Sequence, residues 1–200
     1  RARVTVVMFD ENQILTTEQF WESQILEKYR NQAKAENNHI ALHEQLRMQV
    51  DQETMDWIDS FTKERCLKKI PHTFGGYDIK IFDNPELLDV EIQKRAKESD
   101  SMLSRMIATY DWENHKQVDR LMRYWEVLIG KWHKPWNKQL ESELTRKEKR
   151  AIKGLAWAEQ PQTINEVGST FTIQGFDLNY AGVILGPSVK YRNGKVIFDP

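Results

Sequence analysis

The chain has 200 residues, of which 30% are charged and 40% hydrophobic, the balance of an ordinary globular protein. Its 29 Lys and Arg stand against 30 Asp and Glu, a formal net charge of −1, which excludes a basic whole-chain field and confines any nucleic-acid groove to a local patch or to parts outside the chain. The single cysteine, Cys66, excludes an intrachain disulfide and fits a reducing, cytoplasmic setting, while no apolar run approaches membrane-spanning length and no signal peptide is visible.

Arg1-Ala2-Arg3 runs directly into Val4-Thr5-Val6-Val7-Met8-Phe9, an apolar, β-branched-rich run that predicts a central parallel strand. With the chain stopping at a second strand-like run, Lys195 to Pro200, the expectation is an internal fragment of a longer protein. Asp10 to Thr17 reads as the loop at the carboxyl end of the first strand, and Thr17 as the cap of a helix running to about Tyr29 or Arg30. His39 to Leu42 is a short strand candidate. Asp51 to Thr62 places Met55, Ile58 and Phe61 at helical spacing, with Trp57 alongside. Tyr77 to Phe82 alternates as a strand does, and Asn84-Pro85 opens a helix with proline at its first position. Arg105 to Thr109 is another short strand.

The segment from about Tyr110 to Glu159 carries Trp112, Trp125, Trp132, Trp136 and Trp157 among many charges. Glu141 to Lys153 reads as a solvated, charged helix. Val167 to Gly186 runs as a polar turn, a Gln-Gly pair, an acidic residue and then a buried strand over Gly182 to Leu185. Asn193-Gly194 is the strongest hairpin signal in the chain. Strands alternating with helices predict an α/β fold with a parallel sheet.

Ligands of open α/β sheets bind beyond the carboxyl ends of strands, which draws attention to Asp10-Glu11-Asn12-Gln13. Two functional readings compete there. In the Asp-Glu-x-Gln form of a Walker B motif, Asp10 holds Mg²⁺ and Glu11 polarises the attacking water; in an Asp-x-x-Gln form, the glutamine senses a γ-phosphate. A capped strand-to-helix loop is the non-functional alternative. Lys131, Lys134 and Lys138 interleave with Trp125, Trp132 and Trp136 as a strand-binding platform does, but tryptophans at such spacing more often pack a core, and packing is the favoured reading. His115 and His133 have no partners at ligand spacing, so no structural zinc is expected. No Gly-x-x-x-x-Gly-Lys-[Ser/Thr] phosphate loop occurs, since Gly130-Lys131 is followed by Trp132.

Val167 to Gly186 resembles motif V of superfamily 1 helicases, whose core is [Lys/Gln]-Gly-x-[Glu/Asp] followed by an apolar strand. Further segments extend the likeness along the chain: Phe9 to Gln13, Gln45-Leu46-Arg47, Trp57-Ile58-Asp59, Tyr77 to Asp83, Arg105 to Trp112, Pro135-Trp136-Asn137, Trp157, Asn165 to Gly168, Gln174 to Asp177 and Gly182 to Pro187. In this order they resemble the bacterial helicase-like P-loop ATPases related to the Schlafen helicase domain. The resemblance implies a RecA-like P-loop NTPase fold, a parallel β-sheet flanked by helices, with the second motor domain incomplete. It implies that residues 1–35 end the first RecA-like domain and that 36–200 form the second, with a Trp-rich insert at about 110–159. The spacing from Asp10 to Arg47 resembles the motif III to motif IV distance of such motors and selects the motif III reading, although the family has Gly where this chain has Phe9.

Residue by residue, Gln13 is similar to the motif III γ-phosphate sensor, with Asp10 supporting its loop, and Arg47 to the motif IV arginine finger. Asp177 stands where related motors place a Glu that hydrogen-bonds the ribose, and Gln174 where nucleotide state is coupled to the strand-binding face. Ser169, Thr170 and Thr172 supply hydroxyls suited to phosphates of a single strand. Phe171 stands where relatives carry His and can stack on a base or pack the core. The implied ligands are ATP with Mg²⁺ in the full-length protein, none of it held tightly by this chain alone. The implied partners are single-stranded DNA or RNA and the N-terminal RecA-like domain of the same chain, with no membrane. Without a phosphate loop or motif VI, the chain alone is not expected to hydrolyse ATP.

Overall fold

The structure is a computed structural model and describes residues 3–10, 20–42, 50–72, 77–98, 103–115, 123–173, 175 and 177–199. Backbone packing divides the chain into two units, Arg1–Leu46 and Arg47–Pro200.

In the first unit residues 4–10 run without strand pairing among the described residues, and the apolar side chains from Val4 (78% exposed) to Met8 (86%) face solvent. The expected central strand is therefore absent as a strand. The reason is elementary: an extended run becomes a strand only when its N–H and C=O groups join a ladder, and none is present among the described residues. The helix that follows, α1 (Ser23–Ala35), starts after Glu22, which makes no side-chain cap, and runs beyond the expected end near Arg30. It ends where Asn37 takes a left-handed conformation and the Asn38 N–H donates to the Ala33 carbonyl. Thr17, the expected cap, lies outside the described residues. Residues 39–42 are exposed coil.

The second unit begins with α2 (Gln52–Thr62), capped by Asp51, whose carboxylate accepts from the Thr54 N–H at 2.8 Å. Trp57 stacks on Phe61 along the helix and donates its indole N–H to the Lys68 carbonyl. Residues 77–82 form no strand; their alternation is met by a chain that runs extended without a ladder partner among the described residues. Pro85 then opens α3 (Pro85–Glu98), as its fixed φ favours, and Asn84 Oδ1 accepts from the Leu87 N–H.

Three parallel strands form the central sheet: β1 (Ser104–Ala108), β4 (Val167–Gly168) and β5 (Tyr180–Ile184), in the order β4-β1-β5. β1 is the middle strand, pairing Met106 with Val167 on one side and with Gly182 on the other. Between β1 and β4 the chain makes an antiparallel hairpin of β2 (Glu126–Ile129) and β3 (Trp132–Pro135). Gly130 at φ 60° supplies its turn. Trp136 then bridges to Val167, joining the hairpin to the sheet edge. The expected long charged helix is instead a 3-10 turn (Gln139–Glu143) and a short α4 (Arg146–Ala151), because Thr145 caps a new helix start with a capping box to Glu148. The last two strands, β6 (Val189–Arg192) and β7 (Lys195–Phe198), form the hairpin predicted by Asn193-Gly194, and both turn residues have positive φ.

The core lies between α3, the sheet and the β2–β3 hairpin. Ile92, Met106, Ala108, Val127, Trp132, Trp136, Val167 and Ile184 are buried together. Packing is thus the role of Trp132 and Trp136. Lys134 is buried as well, its ammonium 2.6 Å from Asp89 of α3, so it does not belong to an exposed basic platform. No described helix is long and apolar enough to cross a membrane.

α3 approaches β5 closely because Gly182 has no side chain: a Cβ there would stand 2.8 Å from Ile92 Cγ1 and 3.3 Å from Leu88 Cδ1. Gly182→Ala is expected to lower stability by about 1–3 kcal/mol in urea unfolding. Adding Ile92→Ala relieves the clash, so the double variant should cost less than the two single variants combined; strict additivity would show that the contact does not limit the helix–sheet spacing.

Candidate nucleic-acid interface

Because β4, β1 and β5 are parallel, their carboxyl ends share one edge, the edge where open α/β sheets bind ligands. Three loops leave it: Thr109 to Asp111 after β1, Ser169 to Ile173 after β4, and Leu185 to Ser188 after β5.

The first and third loops are locked together. The Thr109 hydroxyl accepts from the Gly186 N–H at 2.7 Å and donates to Asp111 at 2.5 Å. Asp111 also accepts from the Ser188 N–H at 2.6 Å and from the Ser188 hydroxyl at 2.9 Å. Burial raises the Asp111 carboxyl, but these hydrogen bonds from Thr109 and Ser188 outweigh it and hold the group below its ordinary value. Gly186 has to be glycine here, since a Cβ would lie 2.5 Å from the Asp111 carboxylate.

The middle loop is a tight polar turn. The Ser169 N–H donates to Thr172 Oγ1 at 2.7 Å, the Thr172 N–H and hydroxyl both donate to the Ser169 carbonyl at 2.9 Å, and the Phe171 N–H donates to Ser169 Oγ. Ser169 is fully buried beneath the turn, Thr172 is half-buried, and Thr170 and Phe171 point outward. The turn is seated on Trp157: a Cβ at Gly168 would meet the indole ring at 2.7 Å and Thr172 Oγ1 at 2.6 Å. Trp157 is held in turn by Glu166, buried without solvent contact, which accepts its indole N–H at 3.0 Å and the Leu140 N–H at 2.6 Å. Burial pushes the Glu166 carboxyl above its ordinary value, partly offset by these hydrogen bonds.

On this edge two aromatic rings stand exposed. Tyr110, from the β1 loop, is 53% exposed and Phe171, from the β4 turn, is 48% exposed. Their centroids are 5.2 Å apart in an edge-to-face arrangement, and Tyr110 rests against the fully buried Trp136 at 4.8 Å. Trp136 meets Trp112 edge-on beneath them. A supported pair of exposed aromatic faces is the geometry on which bases of a single strand stack.

Of the residues singled out from the sequence, the structure brings Ser169, Thr170, Phe171 and Thr172 together in one turn. Asp177 lies exposed in the loop that leads to β5, beyond Gly175, whose φ is 88°. Asp10 is exposed and belongs to the first unit. Gln13, Arg47 and Gln174 lie outside the described residues, so the described part of the nucleotide set is Asp10 and Asp177, one in each unit. Sequence reasoning missed Tyr110, Asp111 and Ser188. Tyr110 and Asp111 directly follow a recognised strand and fall in the Arg105 to Trp112 segment of the family likeness, the two signals that pointed to them.

A family model described as "Schlafen group 3, DNA/RNA helicase domain" matches residues 1–200. Among curated proteins, the "Uncharacterized protein YPL245W" of Saccharomyces cerevisiae is 27% identical over 207 residues, covering 94% of this chain and 42% of the yeast protein. The chain therefore spans less than half the length of that relative. No solved structure matches the chain.

Asp111→Asn keeps the shape of the side chain but sets an NH₂ against donors, and is expected to cost about 1–3 kcal/mol near neutral pH. A carboxyl whose folded value is depressed contributes stability that is fully present above its unfolded value of about 3.9 and is lost as pH falls through the folded value. The gap between wild type and Asp111→Asn in urea unfolding should therefore narrow in that acid window. Glu166 acts with the opposite sign, its raised carboxyl favouring the fold most below its unfolded value and losing that share as pH rises through the folded one. A gap for Asp111→Asn that stays constant from neutral to acid pH would remove the ionised carboxylate from the account.

Proposed function

The chain belongs to the Schlafen group 3 DNA/RNA helicase domain family, and we propose on that footing that it is the strand-gripping part of a nucleic-acid-dependent ATPase motor. The observation that carries this reading is the Tyr110–Phe171 pair, exposed at the carboxyl edge of the parallel sheet and backed by Trp136. Bases of single-stranded DNA or RNA stack on these rings, which tolerates any sequence because every base has a π face. The neighbouring phosphates meet the outward Thr170 hydroxyl of the turn.

The finer assignment rests on the resemblance to superfamily 1 motors. In it residues 36–200 form the second RecA-like domain and 1–35 close the first, and ATP with Mg²⁺ is held between them in the full-length protein. Gln13 senses the γ-phosphate with Asp10 supporting its loop, and Arg47 stabilises the charge that spreads over the γ-phosphoryl oxygens. Asp177 holds the ribose, and Gln174 passes the nucleotide state to the Ser169–Thr172 turn. Hydrolysis then alters the grip of the turn on the strand.

Phe171→Ala and Tyr110→Ala should each weaken binding of an oligo(dT) or oligo(U) probe by roughly 1–3 kcal/mol, about 5- to 150-fold, in fluorescence anisotropy, whereas Phe171→Trp should retain affinity. Undiminished affinity in both alanine variants would remove the stacking pair from the interface. In the full-length protein, single strands should stimulate ATP hydrolysis, and Arg47→Ala should abolish hydrolysis while leaving nucleotide binding intact. Strand binding without any stimulation would make the protein a binding module in place of a motor.

A further inference from the structure

Between Leu140 and Trp157 the chain leaves the core and returns to it. Both feet of this arch are held by one buried carboxylate, Glu166, through the Leu140 N–H and the Trp157 indole. The span between them carries α4, whose Thr145–Glu148 capping box fixes its start. Arg146, Lys147, Lys149, Arg150 and Lys153 are all exposed, and no side chain of the five has a hydrogen bond or ion pair. The one acid among them, Glu148, is spent on the cap, where it accepts from the Thr145 N–H at 2.7 Å and from its hydroxyl at 2.6 Å.

Lone cations occur elsewhere on the helices, as at Lys28, Lys34 and Lys97, but α4 gathers them. On α3, by contrast, Lys94 and Arg95 each have an acid four positions away within ion-pair distance, as has Lys63 at the end of α2. On α4, Arg146, Lys149 and Arg150 share a face at i, i+3 and i+4, and like charges at that spacing repel. In a chain with a net charge of −1, a rooted arch that gathers unneutralised cations marks a place for a polyanion. No aromatic residue lies among these cations, so the arch offers charge without a stacking surface. That suits a duplex, whose bases are hidden and which presents one phosphate charge per about 1.7 Å of its axis.

We propose that the Leu140–Trp157 arch is a second nucleic-acid contact, a cationic surface for the phosphate backbone of duplex DNA or RNA, separate from the stacking pair that grips the single strand. It rests on the nucleic-acid reading given above.

The test compares a blunt duplex, a single-stranded oligonucleotide and phosphatidylserine vesicles as probes of the full-length protein. The variant is Lys147→Gln with Lys149→Gln and Arg150→Gln, with Glu148 kept so that the cap survives. Its duplex affinity should fall at least about ten-fold near 0.1 M salt, and the slope of log affinity against log salt should become shallower by about 2–3, at roughly 0.9 per lost phosphate contact. Single-strand affinity and thermal midpoint should hold. Phe171→Ala should show the converse, losing the single strand and keeping the duplex. Unchanged duplex affinity and slope in the triple variant would overturn the arch contact alone, as would equal loss for duplex and single strand or binding of vesicles without duplex. Failure of the wild-type protein to bind either nucleic acid would overturn the underlying reading as well.

Discussion

A carboxylate removed from water must find its hydrogen bonds inside the protein or give up its charge. Glu166 is in that position, and its donors come from three places: the Leu140 and Lys138 N–H groups, just after the hairpin, and the indole of Trp157. Those bonds fix where the chain leaves the core and where it returns. They also fix the ring on which Gly168 lies, and through it the height of the Ser169–Thr172 turn. The carboxyl edge of the sheet thus inherits its geometry from one buried acid two residues upstream of that glycine.

At the edge itself, polar and apolar groups are sorted by job. The hydroxyls of Ser169, Thr172, Thr109 and Ser188 are engaged within the loops and give them shape. The groups turned outward are Thr170 and the rings of Tyr110 and Phe171. A turn stiffened by its own side chains holds an aromatic face in place before any ligand arrives, which lowers the ordering cost of binding. Positive charge is absent from the global balance and gathers on the arch, where it is left without internal partners.

Much of the local structure is legible in the sequence. The helical spacing of Met55, Ile58 and Phe61 marks α2, Asn84-Pro85 opens α3, Arg105 to Thr109 and Gly182 to Leu185 mark β1 and β5, and Asn193-Gly194 turns the last hairpin. Each is a property of a few adjacent residues. The runs at 4–9, 39–42 and 77–82 have strand-like composition but no ladder partner among the described residues, and composition cannot supply one. The charged stretch from Glu141 broke into two short pieces because a capping box restarts the helix at Thr145. Within the interface, the Ser169–Thr172 cluster was legible as a turn before a strand. The Asp111 latch was not, because Thr109 and Asp111 meet Gly186 and Ser188 only after β1 and β5 have paired in parallel.

The position of β1 has a further consequence, for the order in which the molecule is assembled. Both neighbours of this middle strand lie on its C-terminal side: Met106 must await Val167 and then Gly182. The two hairpins close through short turns within microseconds, whereas the parallel pairings require closure of long loops, whose entropy must be met first. During synthesis β1 therefore leaves the ribosome with neither edge covered, and the sheet cannot be completed until Tyr180–Ile184 has been translated. In the interval both edges of β1 are open to misassociation, and the stretch of chain between its register partners, from Met106 to Gly182, sets how long that interval lasts.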